Sequence, residues 1–101
     1  MVKHIILWQL KDEIEDKEAV KKGIKEGLES LQGKIPGLLS VQVNIDSIDS
    51  STADCMLDTT FETKEDLKNY SSNPLHQEVA NSKVRPFYKA RFSFDYEIED
   101  R

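Results

Sequence analysis

The chain has 101 residues, a formal net charge of −5, 38% hydrophobic and 33% charged side chains. That suits one folded domain over residues 1–101 with one modest core, rather than a disordered chain. No apolar run approaches the ~20 residues of a membrane span, and no Lys/Arg cluster interleaved with aromatics offers a nucleic-acid surface. Cys55 is the single cysteine and the two histidines lie far apart, so neither an intrachain disulfide nor a metal site is expected. The acidic residues are spread, with a small excess in the tail at Glu97, Glu99 and Asp100. The N-terminus turns polar too soon for a signal peptide, so a cytoplasmic location is expected.

Val2 to Leu10 alternates. Val2, His4, Ile6, Trp8 and Leu10 share one face and Lys3, Ile5, Leu7 and Gln9 the other; apolar residues on both predict a strand buried on both sides. From about Asp16 to Lys34, Val20, Ile24, Leu28, Leu31 and Ile35 recur at helical spacing. Gly23 and Gly27 each cost ~1 kcal/mol against Ala inside such a helix. Four residues apart, they predict close helix-sheet packing, with ligand space as the alternative. Gly33 and Ile35-Pro36-Gly37 end the helix.

Leu38 to Ile45 alternates as a half-buried strand, with Leu39, Val41, Val43 and Ile45 inward. The Ser- and Asp-rich run from Asp46 to Asp54 is a loop, and Ala53 to Phe61 a third strand, antiparallel to the second. Cys55 falls in this strand as a small buried apolar residue. Thr63 caps a short helix that runs to about Ser71. Asn73-Pro74 breaks it, a second piece runs from about Leu75 to Val84, and Arg85-Pro86 ends that. Lys89 to Tyr96 is the last strand, with Phe92, Phe94 and Tyr96 on one face and Arg91, Ser93 and Asp95 on the other.

The order β-α-β-β-α-β is that of an α+β, ferredoxin-like fold with an antiparallel sheet. Right-handed crossovers put both helices on one sheet face. Ile5, Leu7, Phe92 and Phe94 make the other too apolar for water, so a second copy is expected to cover it. The predicted partner is therefore a homodimer mate, docked through the sheet face.

Three segments carry a family resemblance. The opening Met1-Val2-Lys3-His4-Ile5-Ile6-Leu7-Trp8-Gln9-Leu10-Lys11-Asp12 resembles the start of the stress-responsive A/B barrel (Dabb) family. Tyr70-Ser71-Ser72-Asn73-Pro74-Leu75-His76 resembles its Tyr-x-x-His-Pro-x-His segment, and Phe92-Ser93-Phe94-Asp95-Tyr96 its closing strand. The resemblance implies a ferredoxin-like protomer whose sheets pack face to face into a dimeric α/β barrel. One member class, the plant olivetolic acid cyclases, closes a polyketide by aldol chemistry. Its catalytic His and Tyr fall by motif on His76 and Tyr70, and its N-terminal strand His on His4. Asn73 departs from the motif, and Arg91 and Ser93 stand where the cyclase pocket looks apolar, which argues against a greasy substrate tail.

The candidate catalytic pair is therefore His76, as base near a helix start, and Tyr70, as donor to a developing enolate oxygen; the alternative is a His76 that caps or lies at the surface and a Tyr70 that packs helix against sheet. His4, Trp8, Tyr88 and Arg91 are candidate ligand-binding residues. An inward, buried Arg91 requires a partner, either an acid such as Asp58 or an anionic ligand, whereas an outward Arg91 is simply solvated, and the sequence leaves both open. A small organic ligand between sheet and helices is the expected function, without an assignable reaction and with no cofactor. An acid-base cyclase or lyase, and a non-catalytic stress-related interaction protein, are the alternatives. A haem- or quinone-type monooxygenase has no supporting pattern.

Overall fold

The computed structural model describes residues 1–99, so Asp100 of the acidic tail lies outside the described residues. The elements are β1 (Val2–Leu10), α1 (Lys17–Glu29), β2 (Leu38–Asn44), β3 (Cys55–Phe61), α2 (Lys64–Ser72), α3 (Pro74–Val79), a π-helical turn (Ala80–Val84) and β4 (Tyr88–Glu97). The strands form one antiparallel sheet in the order β2-β3-β1-β4. This is the ferredoxin-like arrangement that the element order predicts. Among the described residues, no helix is long and apolar enough to cross a membrane.

α1 starts at Asp16, whose carboxylate accepts the Ala19 N–H at 3.0 Å. It buries Ile24 and Leu28 and ends at Glu29, short of Lys34. Beyond Glu29 the hydrogen bonds tighten to three-residue spacing, Gln32 N–H to Glu29 O at 3.1 Å and Lys34 N–H to Leu31 O at 3.0 Å. Leu31 and Ile35 still reach the core from these turns. Gly37 has φ +81°, and a Cβ there would stand 2.1 Å from Cγ of Asp66. That close approach seats the turn against the start of α2, where the Asp66 N–H donates to Thr63 Oγ1 at 3.1 Å. Gly27 serves a different purpose from the helix-sheet packing its position suggests. Its Cβ would meet Val79 Cγ1 at 2.9 Å and the Lys83 side chain, so it lets α1 approach α3 and the π turn.

The two sheet faces divide cleanly. Val2, His4, Ile6, Trp8 and Leu10 of β1, with Leu57, Thr59 and Phe61 of β3, are buried beneath the helices. In β2 a register shift between Leu38 and Ser40 interrupts the alternation. Leu38 therefore takes the inward place expected for Leu39, and Leu39 is exposed. On the opposite face Ile5 pairs with Phe94 and Leu7 with Phe92. Phe92 and Phe94 are 63% and 68% exposed, the apolar surface that the alternation predicts. The half of this face over β3 is polar: Lys3 Nζ lies 2.6 Å from Asp58 Oδ1 and donates to Thr60 Oγ1 at 2.8 Å.

The outer edge of β2 is capped by side chains of α1 and the turn beyond it. Gln32 donates to Leu39 O at 3.0 Å and accepts the Val41 N–H at 2.9 Å. Glu29 accepts the Val43 N–H at 2.9 Å, and Lys25 donates to Val43 O at 2.7 Å. Burial alone would raise the Glu29 carboxyl, but Lys25 and the Val43 N–H together bring it below its ordinary value. These side chains take the place of a neighbouring strand and close the edge to strand addition. Hydrogen exchange by NMR checks this one amide at a time. Gln32→Ala is expected to speed exchange at Val41 and leave Val43 protected, and Glu29→Ala to do the reverse; unchanged rates at both would refute the cap.

Candidate functional site

A chain of rings runs through the core beneath the helices. β1 supplies His4, β3 Phe61, α2 Tyr70 and α3 His76. The His4 and Phe61 centroids are 6.5 Å apart, Phe61 and Tyr70 5.0 Å at 60°, and Tyr70 and His76 4.2 Å at 41°. Asn73 makes the last contact possible. It ends α2 with extended backbone (ψ 131°), then caps α3 by accepting the Leu75 N–H at 2.9 Å. The chain folds back there, and His76 returns to the Tyr70 ring. Asn73 thus has a capping role in the place where the family motif carries a His.

Beside His76 lies a cavity of about 50 Å³, with Trp8 and Leu57 from the sheet, Leu28 from α1, and Tyr88, Arg85 and Arg91 among its walls. It holds a few atoms, against the ~300 Å³ or more of a typical ligand pocket. Four of the six expected site residues line it: Trp8, His76, Tyr88 and Arg91. Tyr70 and His4 do not. Tyr70 is 1% exposed and stacks behind His76, so its ring, and not its hydroxyl, faces the candidate base. His4 is 7% exposed and turns along the sheet to Asp95, with Nδ1 2.5 Å from Oδ1. Asp95 follows from the pairing of β1 with β4, which sets it opposite His4.

Arg91 lies opposite Trp8, on the helix side of β4. Asp58 lies on the other face, where it meets Lys3, and Arg91 is exposed on the helix side, so it is solvated and needs no buried partner. Arg85, read from the sequence as part of a helix break, is the wall residue that sequence reasoning missed. Its backbone N–H closes the π turn on Ala80 O at 2.8 Å. The single extra residue of that turn has no signature in the apolar spacing. Arg85 Nη1 also donates to Gln77 Oε1 at 3.1 Å and to Asn81 Oδ1.

Several buried polar atoms here have no partner among the described residues: Trp8 Nε1, Tyr70 Oη and His76 Nδ1. Burial raises the Tyr70 phenol well above its ordinary value. Burial also lowers the His76 imidazole, against the nearby backbone of Ser71; Arg85, His4 and Arg91 lower it further. His76 is therefore neutral at pH 7. A folded-state value below the unfolded one means that its contribution to stability is complete above about pH 6.5. That contribution is lost as pH falls through the lowered value. An NMR titration of the imidazole should give a midpoint below 6.5, and His76→Gln should flatten the acid limb of stability; a midpoint at or above 6.5 would contradict the burial argument. Among the described residues no group of His, Cys, Asp and Glu is placed to hold a metal ion.

Residues 2–98 match the stress-responsive A/B barrel domain, nearly the whole chain. The chain belongs to the Dabb family. Curated protein sequences include no match to this Dabb chain. Among solved structures it is similar to a dimeric protein of unknown function and ferredoxin-like fold from Bacteroides fragilis, at 28% identity and TM-score 0.88, over 96% of this chain and 95% of that one. It is similar in fold to the Arabidopsis thaliana protein At3g17210, at 23% identity and TM-score 0.79, over 100% and 98% of the two chains. A third fold neighbour is the hydroxynitrile lyase of Passiflora edulis, at 19% identity and TM-score 0.78, over 99% and 94%.

Proposed function

We propose that this Dabb protein binds a small organic molecule between sheet and helices and that His76 removes a proton from it. The observation that carries this reading is the meeting of His76 and Trp8 on the walls of one cavity beneath the helices. The cavity's size restricts it to the reacting end of a molecule.

In the proposed step the neutral imidazole takes a proton from a carbon next to a carbonyl. The C–H bond breaks, an N–H bond forms on His76, and the electron pair moves onto the carbonyl oxygen. Tyr70 acts through its ring, which holds the imidazole in place. A hydroxynitrile lyase among the fold neighbours is one case in which this fold carries catalysis. Deuterium uptake by small carbonyl compounds, followed by NMR, tests it. The protein is expected to accelerate exchange next to the carbonyl of acetoacetate or pentane-2,4-dione, and His76→Gln to return the rate to that of buffer. No acceleration by the unaltered protein would remove the catalytic reading.

We also infer a homodimer through the open sheet face. The exposed phenyl rings of Phe92 and Phe94 beside Leu7 support it, as does the dimeric state of the Bacteroides fragilis protein. A cytoplasmic location suits the lone buried thiol of Cys55, which burial raises to about 11 and so leaves unreactive.

A further inference from the structure

The walls of the small cavity carry an imbalance of charge. They include Arg85 and Arg91 and no acidic residue, in a chain whose net charge is −5. Carboxylates on the same side of the sheet have other partners: Asp95 meets His4, and Glu97 meets Lys64 Nζ at 2.9 Å. Asp58 is engaged by Lys3 on the far face. Arg85 is held by Gln77 and Asn81, which orient its guanidinium without neutralising it. The Arg91 side chain makes no hydrogen bond or ion pair among the described residues. Its neighbours across β1 on the helix side are the apolar Trp8 and Ile6, so β1 offers it no anion.

We propose that the substrate of this site is a small carboxylate, with its carbonyl end beside His76 and its carboxylate held at the mouth by Arg91 and Arg85. This rests on the small-molecule reading above and adds the chemical class. A planar carboxylate matches the fork of a guanidinium, and an exposed mouth lets the anion keep part of its hydration while it pairs. The cavity of about 50 Å³ cannot enclose such a molecule, so the charged end must lie outside, where both arginines are exposed. The arrangement also links binding to chemistry. Burial is the main cause that holds the imidazole value down, with Arg85 and Arg91 adding to it, and an anion between the arginines relieves their share.

Trp8 is the single tryptophan and lines the cavity, so its fluorescence reports binding there without a label. The experiment titrates acetoacetate and its neutral analogue pentane-2,4-dione into the whole protein, and repeats both titrations with Arg91→Gln and Arg85→Gln. Acetoacetate is expected to bind tighter than the diketone, and each variant to weaken it about tenfold, the scale of a hydrogen bond to a charged group, while the diketone is unaffected. Native far-UV circular dichroism of each variant separates weakened binding from misfolding, and Arg91→Lys and Arg85→Lys should restore part of the affinity. Equal or tighter binding of the diketone, or acetoacetate binding unaltered in both Gln variants, would overturn the carboxylate assignment and leave the small-molecule site standing. A Trp8 signal unchanged by either compound would overturn both.

Discussion

Phe94→Asp is expected to turn the proposed dimer into a monomer. The chain weighs 11.6 kDa, and the unaltered protein should travel at about twice that mass in light scattering at micromolar concentration. Phe94 stands 68% exposed on β4, opposite Ile5 and two residues from Phe92, so the apolar stripe crosses both strands. Burying that much of a phenyl ring is worth about 1–2 kcal/mol. A two-fold interface contains the residue twice, and the substitution also places two carboxylates on a face that excludes water. Together these losses should weaken association at least a thousandfold, at ~1.4 kcal/mol per factor of ten. The monomer itself should keep its fold, because Phe94 makes little contact with the core. Glu97→Lys, on the helix side of the same strand, is the control and should leave the mass unaltered. A wild type that runs as a monomer, or a variant that stays dimeric, would discard the sheet face as the interface.

How much of this was legible beforehand depended on the range of the interaction. Alternation in β1 and β4 placed Phe92, Phe94 and Tyr96 on one face and Arg91 on the other, because the side-chain period of a strand is two wherever the strand is regular. The same rule failed at Leu39. The irregularity between Leu38 and Ser40 inserts a residue, and every inward assignment before it flips. The end of α1 was overrun for a similar reason, since Leu31 and Ile35 keep the apolar spacing from turns that are no longer helical. The site divides in the same way. That Tyr70 and His76 meet follows from the break at Asn73-Pro74. That the Tyr70 ring is also packed against Phe61 depends on β3, a partner in another element that the motif does not contain. Asp58 as a mate for Arg91 failed because strand register alone decides which face each occupies. Arg85 reached the cavity through a π turn, which differs from an α-helix by one residue and leaves the apolar pattern nearly intact.

Tyr70 offers the sharpest separation between the ring and its hydroxyl. It is among the largest side chains of the core, 1% exposed, and wedged between Phe61 and His76. Tyr70→Ala should cost about 3–5 kcal/mol, the usual loss for deleting a buried aromatic side chain. In a domain whose total stability is of order 5–15 kcal/mol, that leaves little margin at 37 °C. Tyr70→Phe should go the other way. The hydroxyl is buried without a partner, so removing it discards a desolvation cost of about 1–3 kcal/mol while the rings keep their packing. Urea unfolding should therefore place Tyr70→Phe at or above the wild type and Tyr70→Ala far below it. The deuterium-exchange assay then separates two roles. If the ring positions His76, Tyr70→Phe keeps the exchange activity and His76→Gln loses it. If the hydroxyl instead donates to the developing enolate, as the motif alone suggests, Tyr70→Phe loses activity with its stability intact. The packing favours the first outcome: Tyr70 is absent from the cavity wall, and its hydroxyl is buried without a partner.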